Sequence, residues 1–321
     1  MFSYRHAFHA GNHADVLKHT VLIATLEHLL EKDTALTVVD THAGAGLYRL
    51  DGDYAGTSGE AADGVLRLLA PKQEAAPVAA AAPAQGAAKK STKPAATPDA
   101  PLAPAIQAYL DLVRDFNPNG GARVYPGSPF ITHHLLREHD KLKLFELHPT
   151  DARTLDANIA QLEAGRQIAV LREDGFGSAT KFLPPPSRRA LVLCDPSYEM
   201  KTDYGRVLDL IGESLKRFAT GTYAVWYPII PRPEAHDLPR RLKTMATKAG
   251  KSWLHATLTV KSSKVLTTVT GDQKRPGLPA SGMFLINPPY TLNGRLQPAL
   301  EQLKDLLAQD RHAAFTLDSA G

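Results

Sequence analysis

The sequence of 321 residues predicts an α/β fold built on an open, mostly parallel, doubly wound sheet. Three observations carry this expectation. Short β-branched stretches alternate with helical patterns, four successive stretches end in an acidic residue, and glycines follow the first of them directly. Val16 to Leu30 spaces its apolar residues as an amphipathic helix. LTVVD (Leu36 to Asp40) then reads as a strand running into the Gly-containing turn THAGAG. Further strands are expected at Leu142 to Glu146, Gln167 to Asp174, Ala190 to Asp195, Thr222 to Pro228, Leu254 to Val260 and Gly282 to Asn287. Helices are expected at Pro149 to Glu163, Thr202 to Phe218 and Pro233 to Ala249. The last two strands have no helix between them and are expected to pair antiparallel.

The alternation is interrupted once. Residues 1–50 hold the first helix and strand, 51–122 form an insertion, and 123–321 complete the core. The insertion carries helices near Glu60 to Leu69 and Ala105 to Phe116, joined by an Ala/Pro/Lys tract at about residues 71–104. That tract has almost no large apolar side chains to offset the entropy of ordering it, so it reads as a linker.

With 43% hydrophobic and 22% charged residues the composition is that of an ordinary globular protein. No apolar run is long enough to cross a bilayer. The first residues carry His, Arg and Asp where a secretory signal needs an apolar core, and the single cysteine, Cys194, fits a reducing compartment, so a cytoplasmic protein is expected. The net charge is only +4, but Lys181 to Arg275 holds 17 Lys and Arg against 8 Asp and Glu. Doublets recur there: Arg188-Arg189, Lys216-Arg217, Arg240-Arg241 and Lys274-Arg275. They read either as a phosphate-tracking surface or as solvated faces and helix ends, and charge alone favours the second.

The acidic strand ends are Asp40, Glu146, Asp174 and Asp195. Ligands of open α/β sheets lie beyond the carboxyl ends of the strands, so all four are expected to line one mouth. Glu146, after the second strand, suits bidentate bonding to ribose hydroxyls. Gly44 and Gly46 let backbone approach a ligand closely. Asp174 can accept from an adenine amino group, with Gly175 giving access and Phe176 an apolar neighbour. Asp195-Pro196-Ser197-Tyr198 resembles the D/N-P-P-Y/F/W element of amino-directed methyltransferases. An exocyclic amine is a poor nucleophile until acceptors bond its N–H groups. The Asp195 carboxylate and the Pro196 carbonyl supply them, and Tyr198 is expected to stack on the unstacked base. Ser197 departs from the usual second proline and loosens the turn. Cys194, inside an apolar strand, is expected to be inert packing.

Asn287-Pro288-Pro289-Tyr290 matches the same element better by letters. It follows the last strand, after the ligand-binding strands are used up, and is expected to be a loop packed near the site. Histidines crowd the N-terminal part: His6, His9, His13, His19 and His42. His9 and His13 can share a helix face as metal ligands, but no closed ligand set is complete and no metal is expected. Tyr4, Arg5 and His6 combine aromatic and basic groups suited to stacking and phosphate contact.

FSYRHAFHAGNHADVLKHT, DTHAGAG, YPGSP, ELHP, DGF, SRRALVLCDPSYEMKTDY, FATGTYAVWYP and ASGMFLINPP together resemble the 23S ribosomal RNA adenine-N6 methyltransferases of the RlmJ type. The resemblance spans nearly the whole chain except the Ala/Pro tract. It implies a Rossmann-like class I methyltransferase sheet with a small helical insertion subdomain, S-adenosyl-L-methionine as cofactor and 23S ribosomal RNA as substrate. No protein partner is implied by the sequence, and a monomer is expected. It also implies that His19, His42, Ser128, Glu146, Asp174 and Gly175 hold the cofactor, that Asp195 is the catalytic acceptor, and that Tyr4 sits near the target adenine. Two other readings stay open: a metal-dependent hydrolase using the N-terminal histidines with Asp15, Asp40 and His42, and a basic RNA-binding protein without catalysis.

Overall fold

The computed structural model describes residues 8–51, 60–70, 101–264, 266–267, 273–274 and 277–321. In chain order the helices are α1 (His13–Leu30), α2 (Val65–Leu69), α3 (Pro104–Asp115), α4 (Ser128–Leu135), α5 (Pro149–Ala160), α6 (Gly175–Ser178), α7 (Thr202–Arg217), α8 (Pro233–Lys248) and α9 (Leu292–Leu306). The strands are β1 (Thr37–Asp40), β2 (Leu47–Arg49), β3 (Val124–Pro126), β4 (Lys141–Phe145), β5 (Ile168–Leu171), β6 (Ala190–Cys194), β7 (Thr222–Ile229), β8 (Trp253–Thr259), β9 (Leu266–Thr267), β10 (Gln273–Lys274), β11 (Ala280–Ile286) and β12 (Ala314–Ala320).

Eight strands form the central sheet in the order β12-β8-β11-β7-β6-β1-β4-β5. The run from β5 to β7 is parallel. β11 inserts antiparallel between β7 and β8, as the missing helix before it predicts, and β12 adds antiparallel to β8. β1, β6 and β11 are buried along their whole length, as strands covered by helices on both faces must be.

Each face of the sheet packs its own apolar cluster. One joins the sheet to α1, α3 and α9 through residues such as Leu22, Ile106, Leu142 and Leu300. The other joins it to α7 and α8 through Val192, Val207, Ile211 and Leu242. α3, in the insertion, packs on α1 and α9 and shares the first cluster.

Helix starts follow local chemistry. Asn12 caps α1 by accepting from the N–H groups of Ala14 and Asp15, and proline opens α3, α5 and α8. Several elements escape the sequence reading. α9 carries Gly294 and Pro298 inside it, which disguise a helix whose Leu296, Ala299, Leu300 and Leu303 are all buried. β12 is an edge strand whose apolar face is only the half-buried pair Phe315 and Leu317, packed on the first cluster, too short an alternation to announce it. The expected helix near Glu60 to Leu69 is only one turn, Val65–Leu69. The Ala/Pro/Lys tract lies outside the described residues from 71 to 100.

Topology corrects one expectation. Because β11 runs antiparallel, its last residue, Ile286, pairs with Tyr223 and Trp253 near the starts of β7 and β8. Asn287-Pro288-Pro289-Tyr290 therefore leaves the sheet at the edge opposite the carboxyl ends of β1, β4, β5 and β6, and it is not a loop beside the site. Asn287 binds there locally, donating to the carbonyls of Ala219 and Gly221 at 3.0 and 2.7 Å.

Candidate active site

A cavity of about 360 Å³ opens beyond the carboxyl ends of β1, β4, β5 and β6. It gathers His19, His42, Gly44, Ser128, Glu146, Asp174, Gly175, Asp195 and Pro196, which stand far apart in sequence. Lys18, Thr41, Phe176 and Arg206 complete much of the wall.

Glu146, directly after β4, accepts from the backbone N–H of Gly44 and of His148, both at 2.7 Å. Burial raises its pKa, and these two N–H groups oppose the rise. The carboxylate is thereby fixed in the wall before any ligand arrives. Gly44 has φ +61°, and a Cβ there would lie 2.3 Å from the Tyr48 hydroxyl, so the turn after β1 requires glycine.

Asp174 caps α6 by accepting from the Phe176 N–H at 3.1 Å and is ion-paired with Arg206 of α7. The Arg206 guanidinium lies 4.3 Å from the Phe176 ring centroid, and the other neighbour of that ring, His42, lies at 4.6 Å edge-on. Gly175 is packed against the turn after β1, where a Cβ would come within 2.1 Å of the Thr41 carbonyl oxygen. Burial pushes the His42 pKa down to about 4, so at neutral pH it is an uncharged wall.

Asp40 departs from expectation. Only 1% exposed, it lies beneath the cavity instead of lining it, accepting from the Ser128 hydroxyl at 2.6 Å and from the His42 N–H at 3.2 Å. Burial pushes its pKa up to about 6, against the pull of those two bonds. Its effect on the site is indirect, through Ser128 and the turn that carries His42.

Lys18 is a cavity residue that motif reading passes over, as are Thr41 and Arg206. Lys18 is 4% exposed on α1, and its Nζ lies 2.8 Å from Asp15 Oδ1 and 2.5 Å from Asp195 Oδ2. Burial works against its charge, but the two carboxylates outweigh it and hold Lys18 protonated well above the ordinary lysine range. Asp195 Oδ1 accepts no hydrogen bond from the described residues, so one oxygen is anchored and the other remains for a donor. The available signal was a lysine amid Val16, Leu17, Val21 and Leu22, three residues after an aspartate.

Tyr198 also corrects expectation. Its ring is 2% exposed and packs on Tyr204 and Trp226, with centroids at 4.6 and 6.1 Å, and its hydroxyl donates to the Trp226 carbonyl at 2.7 Å. It does not line the cavity. Its φ of +53° is uncommon for a non-glycine residue, and the Arg232 guanidinium donates to its carbonyl at 3.0 Å. In this arrangement Tyr198 anchors the Asp-Pro-Ser turn. Cys194 is buried, with its thiol pushed up to about 12 by burial, and is no nucleophile at neutral pH.

The described N-terminal histidines do not converge. His9 bonds Glu60 at 2.9 Å, His13 meets the Leu278 carbonyl at 2.9 Å, and Asp15 is held by Lys18. Among the described residues no group of three His, Cys, Asp or Glu is arranged to ligate a metal. Tyr4, Arg5 and His6 lie outside the described residues.

A model of the family described as "Ribosomal RNA large subunit methyltransferase D, RlmJ" matches residues 33–82 and 95–318. The chain belongs to this family. It is 41% identical over 307 residues to the ribosomal RNA large subunit methyltransferase J of Escherichia coli K12, covering 96% of this chain and 94% of that one. The protein of the same name from Haemophilus influenzae is 36% identical over 319 residues, covering 99% and 98%. Among solved structures, protein LPL1258 from Legionella pneumophila superposes with a TM-score of 0.74 at 27% identity, over 98% of this chain and 99% of that one. As an RlmJ-family member the chain is a methyltransferase on a Rossmann-like class I sheet, and among its described residues no helix is long and apolar enough to cross a membrane.

Proposed function

We propose that this RlmJ-family chain transfers a methyl group from S-adenosylmethionine to N6 of an adenine in 23S ribosomal RNA, in the cytoplasm. The observation that carries the reading is the placement of Asp195 and Pro196 in the same cavity as Glu146 and Asp174. An amine acceptor and two groups suited to an adenosine thus share one chamber.

The residues fit the cofactor. The cavity volume lies within the range of small-molecule pockets. Glu146 is suited to ribose hydroxyls, Asp174 to an adenine amino group, and the Gly44 turn and Gly175 admit a ligand against backbone. Ser128, the uncharged His42 and His19 complete the wall with Lys18. When bound, the cofactor supplies an electrophilic methyl on a sulfonium.

The protein's own contribution is to ready the amine. Asp195 Oδ1 and the Pro196 carbonyl accept hydrogen bonds from the two N6–H groups and localise the nitrogen lone pair, and the methylated nitrogen then loses one of those protons to water. Lys18 holds Asp195 in place through the other oxygen, so the acceptor reorganises little during reaction. The names of both bacterial relatives, ribosomal RNA large subunit methyltransferase J, support the substrate class. Purified protein, the cofactor and protein-free 23S RNA should yield N6-methyladenine at one site, mapped by mass spectrometry. Methylation at another base atom, or none despite measurable S-adenosylhomocysteine binding, would overturn the reading.

A further inference from the structure

A second concavity, of about 830 Å³, runs between α7 and α8 on the outer face of the molecule. Lys216 of α7 and Arg240, Arg241 and Lys248 of α8 line it, against Asp209 and Glu213. All four cations are exposed. Lys216 is 2.6 Å from Glu213, and Arg240 is ion-paired with Asp237. Such surface pairs are worth about 0–1 kcal/mol, little enough for a phosphate to displace the carboxylate. Arg241 and Lys248 make no ion pair among the described residues. α8 repeats its polar groove residues every four positions, at Arg240, Thr244 and Lys248, which puts them in one row along the helix.

The groove is tied to the active site by both of its walls. Asp203 and Arg206, near the start of α7, line the catalytic cavity, and the groove begins two residues further on, at Leu208. α8 follows Arg232, whose guanidinium holds the Tyr198 carbonyl in the Asp-Pro-Ser turn. From Leu208 to Lys216 the wall extends about 12 Å, at 1.5 Å per residue, enough for a few nucleotides.

We propose that the α7/α8 groove is a phosphate-binding track for the ribosomal RNA substrate, taking the sugar-phosphate backbone of RNA that leads away from the catalytic cavity. This rests on the RNA reading proposed above. The groove cations contact phosphate oxygens and contribute register and affinity without reading sequence. This makes part of the basic C-terminal half a working surface instead of a set of solvated helix ends.

The test is the Arg241→Glu, Lys248→Glu double variant, with both positions exposed and outside the catalytic cavity. Affinity for an in-vitro transcribed, protein-free 23S RNA fragment is measured by fluorescence anisotropy across a salt series, and affinity for S-adenosylhomocysteine by calorimetry. The expected result is RNA binding at least about tenfold weaker near 0.1 M salt, a salt dependence shallower by about one to two phosphate contacts, and unchanged S-adenosylhomocysteine affinity. Wild-type RNA binding with the same affinity and salt slope in the variant overturns the groove alone. A wild-type protein that binds S-adenosylhomocysteine but no ribosomal RNA overturns the groove together with the reading it rests on.

Discussion

Lys18 Nζ stands 2.5 Å from Asp195 Oδ2, joining the first helix to the end of the fourth parallel strand in sequence. With Asp15 at 2.8 Å on its other side, the buried cation fixes Asp195, the proposed acceptor of the methylation site. Removing one member of a buried ionic cluster leaves uncompensated charge, typically at a cost of about 3–5 kcal/mol. Lys18→Met is therefore expected to lower unfolding free energy by about that amount in urea titrations. Asp15→Asn in the same chain should recover part of the loss. Equal stability of wild type and Lys18→Met would show that the cluster does not operate as a unit.

Asp40 and His42 impose opposite pH dependences on stability. Asp40 has a folded pKa of about 6 against an ordinary value of 3.8, so the fold binds its proton more tightly than the unfolded chain does. Its ionisation costs stability progressively as pH rises from about 4 to 6, and the penalty stays full above that, up to about 3 kcal/mol. His42, lowered to about 4, costs stability as pH falls from 6.5, because the unfolded chain takes up the proton first. Asp40→Asn keeps an acceptor for the His42 N–H and can donate to the Ser128 oxygen. It is expected to stabilise the protein by about 1–3 kcal/mol above pH 6.5, with the gain fading towards pH 4. Urea titrations at pH 7.5, 6 and 4.5 decide it, and a gain that grows on acidification would contradict the assignment.

The two glycines of the Asp-Gly-Phe-Gly stretch should respond differently. A Cβ on Gly175 would meet the Thr41 carbonyl oxygen at 2.1 Å, whereas one on Gly177 meets nothing within 4 Å. Gly175→Ala must push α6 away from the turn after β1 and should weaken S-adenosylhomocysteine binding by more than about tenfold, with a stability loss of about 1–3 kcal/mol from overpacking. Gly177→Ala should stay within about 0.5 kcal/mol of wild type and bind normally. Calorimetry and thermal unfolding on the pair provide the comparison, and normal binding by Gly175→Ala would show that the turn is not a rigid cofactor floor.

The sheet and much of the cavity were legible because they rest on period and order. Strands of four to eight apolar residues, each ending in a chemically apt side chain, can be read one at a time. What was lost depends on depth and direction. Nothing local distinguishes Asp40, which lies under the cavity, from Asp195, which faces it, since both simply end a strand. Tyr198 has the letter of a stacking residue, but the backbone turn at +53° sends its ring into the core. Lys18 looks like an ordinary polar interruption of a helix until Asp195, 177 residues away, is brought beside it.

Asp195 and Asn287 head the two stretches that resemble the amino-methyltransferase element, and the sheet separates them to opposite edges. If Asp195 accepts a hydrogen bond from N6–H, Asp195→Ala removes a charge-assisted interaction of roughly 1.5–3 kcal/mol, a loss of about ten- to two-hundredfold in the chemical step. It also leaves Lys18 with only Asp15, so some stability should be lost as well. Asp195→Asn retains an acceptor oxygen and should react faster than Asp195→Ala. Asn287 has φ +52° and spends its amide on the carbonyls of Ala219 and Gly221, so its role is to hold the loop after β11 against the start of β7. Asn287→Ala should cost about 1–3 kcal/mol of stability from those unmade bonds and the positive φ. Below its melting temperature it should retain the wild-type single-turnover rate, and saturating cofactor and RNA isolate that rate from binding. An Asn287→Ala protein that is folded but inactive, beside an active Asp195→Ala protein, would move the reacting amine to the far edge of the sheet and dismantle the site assembled around Lys18 and Asp195.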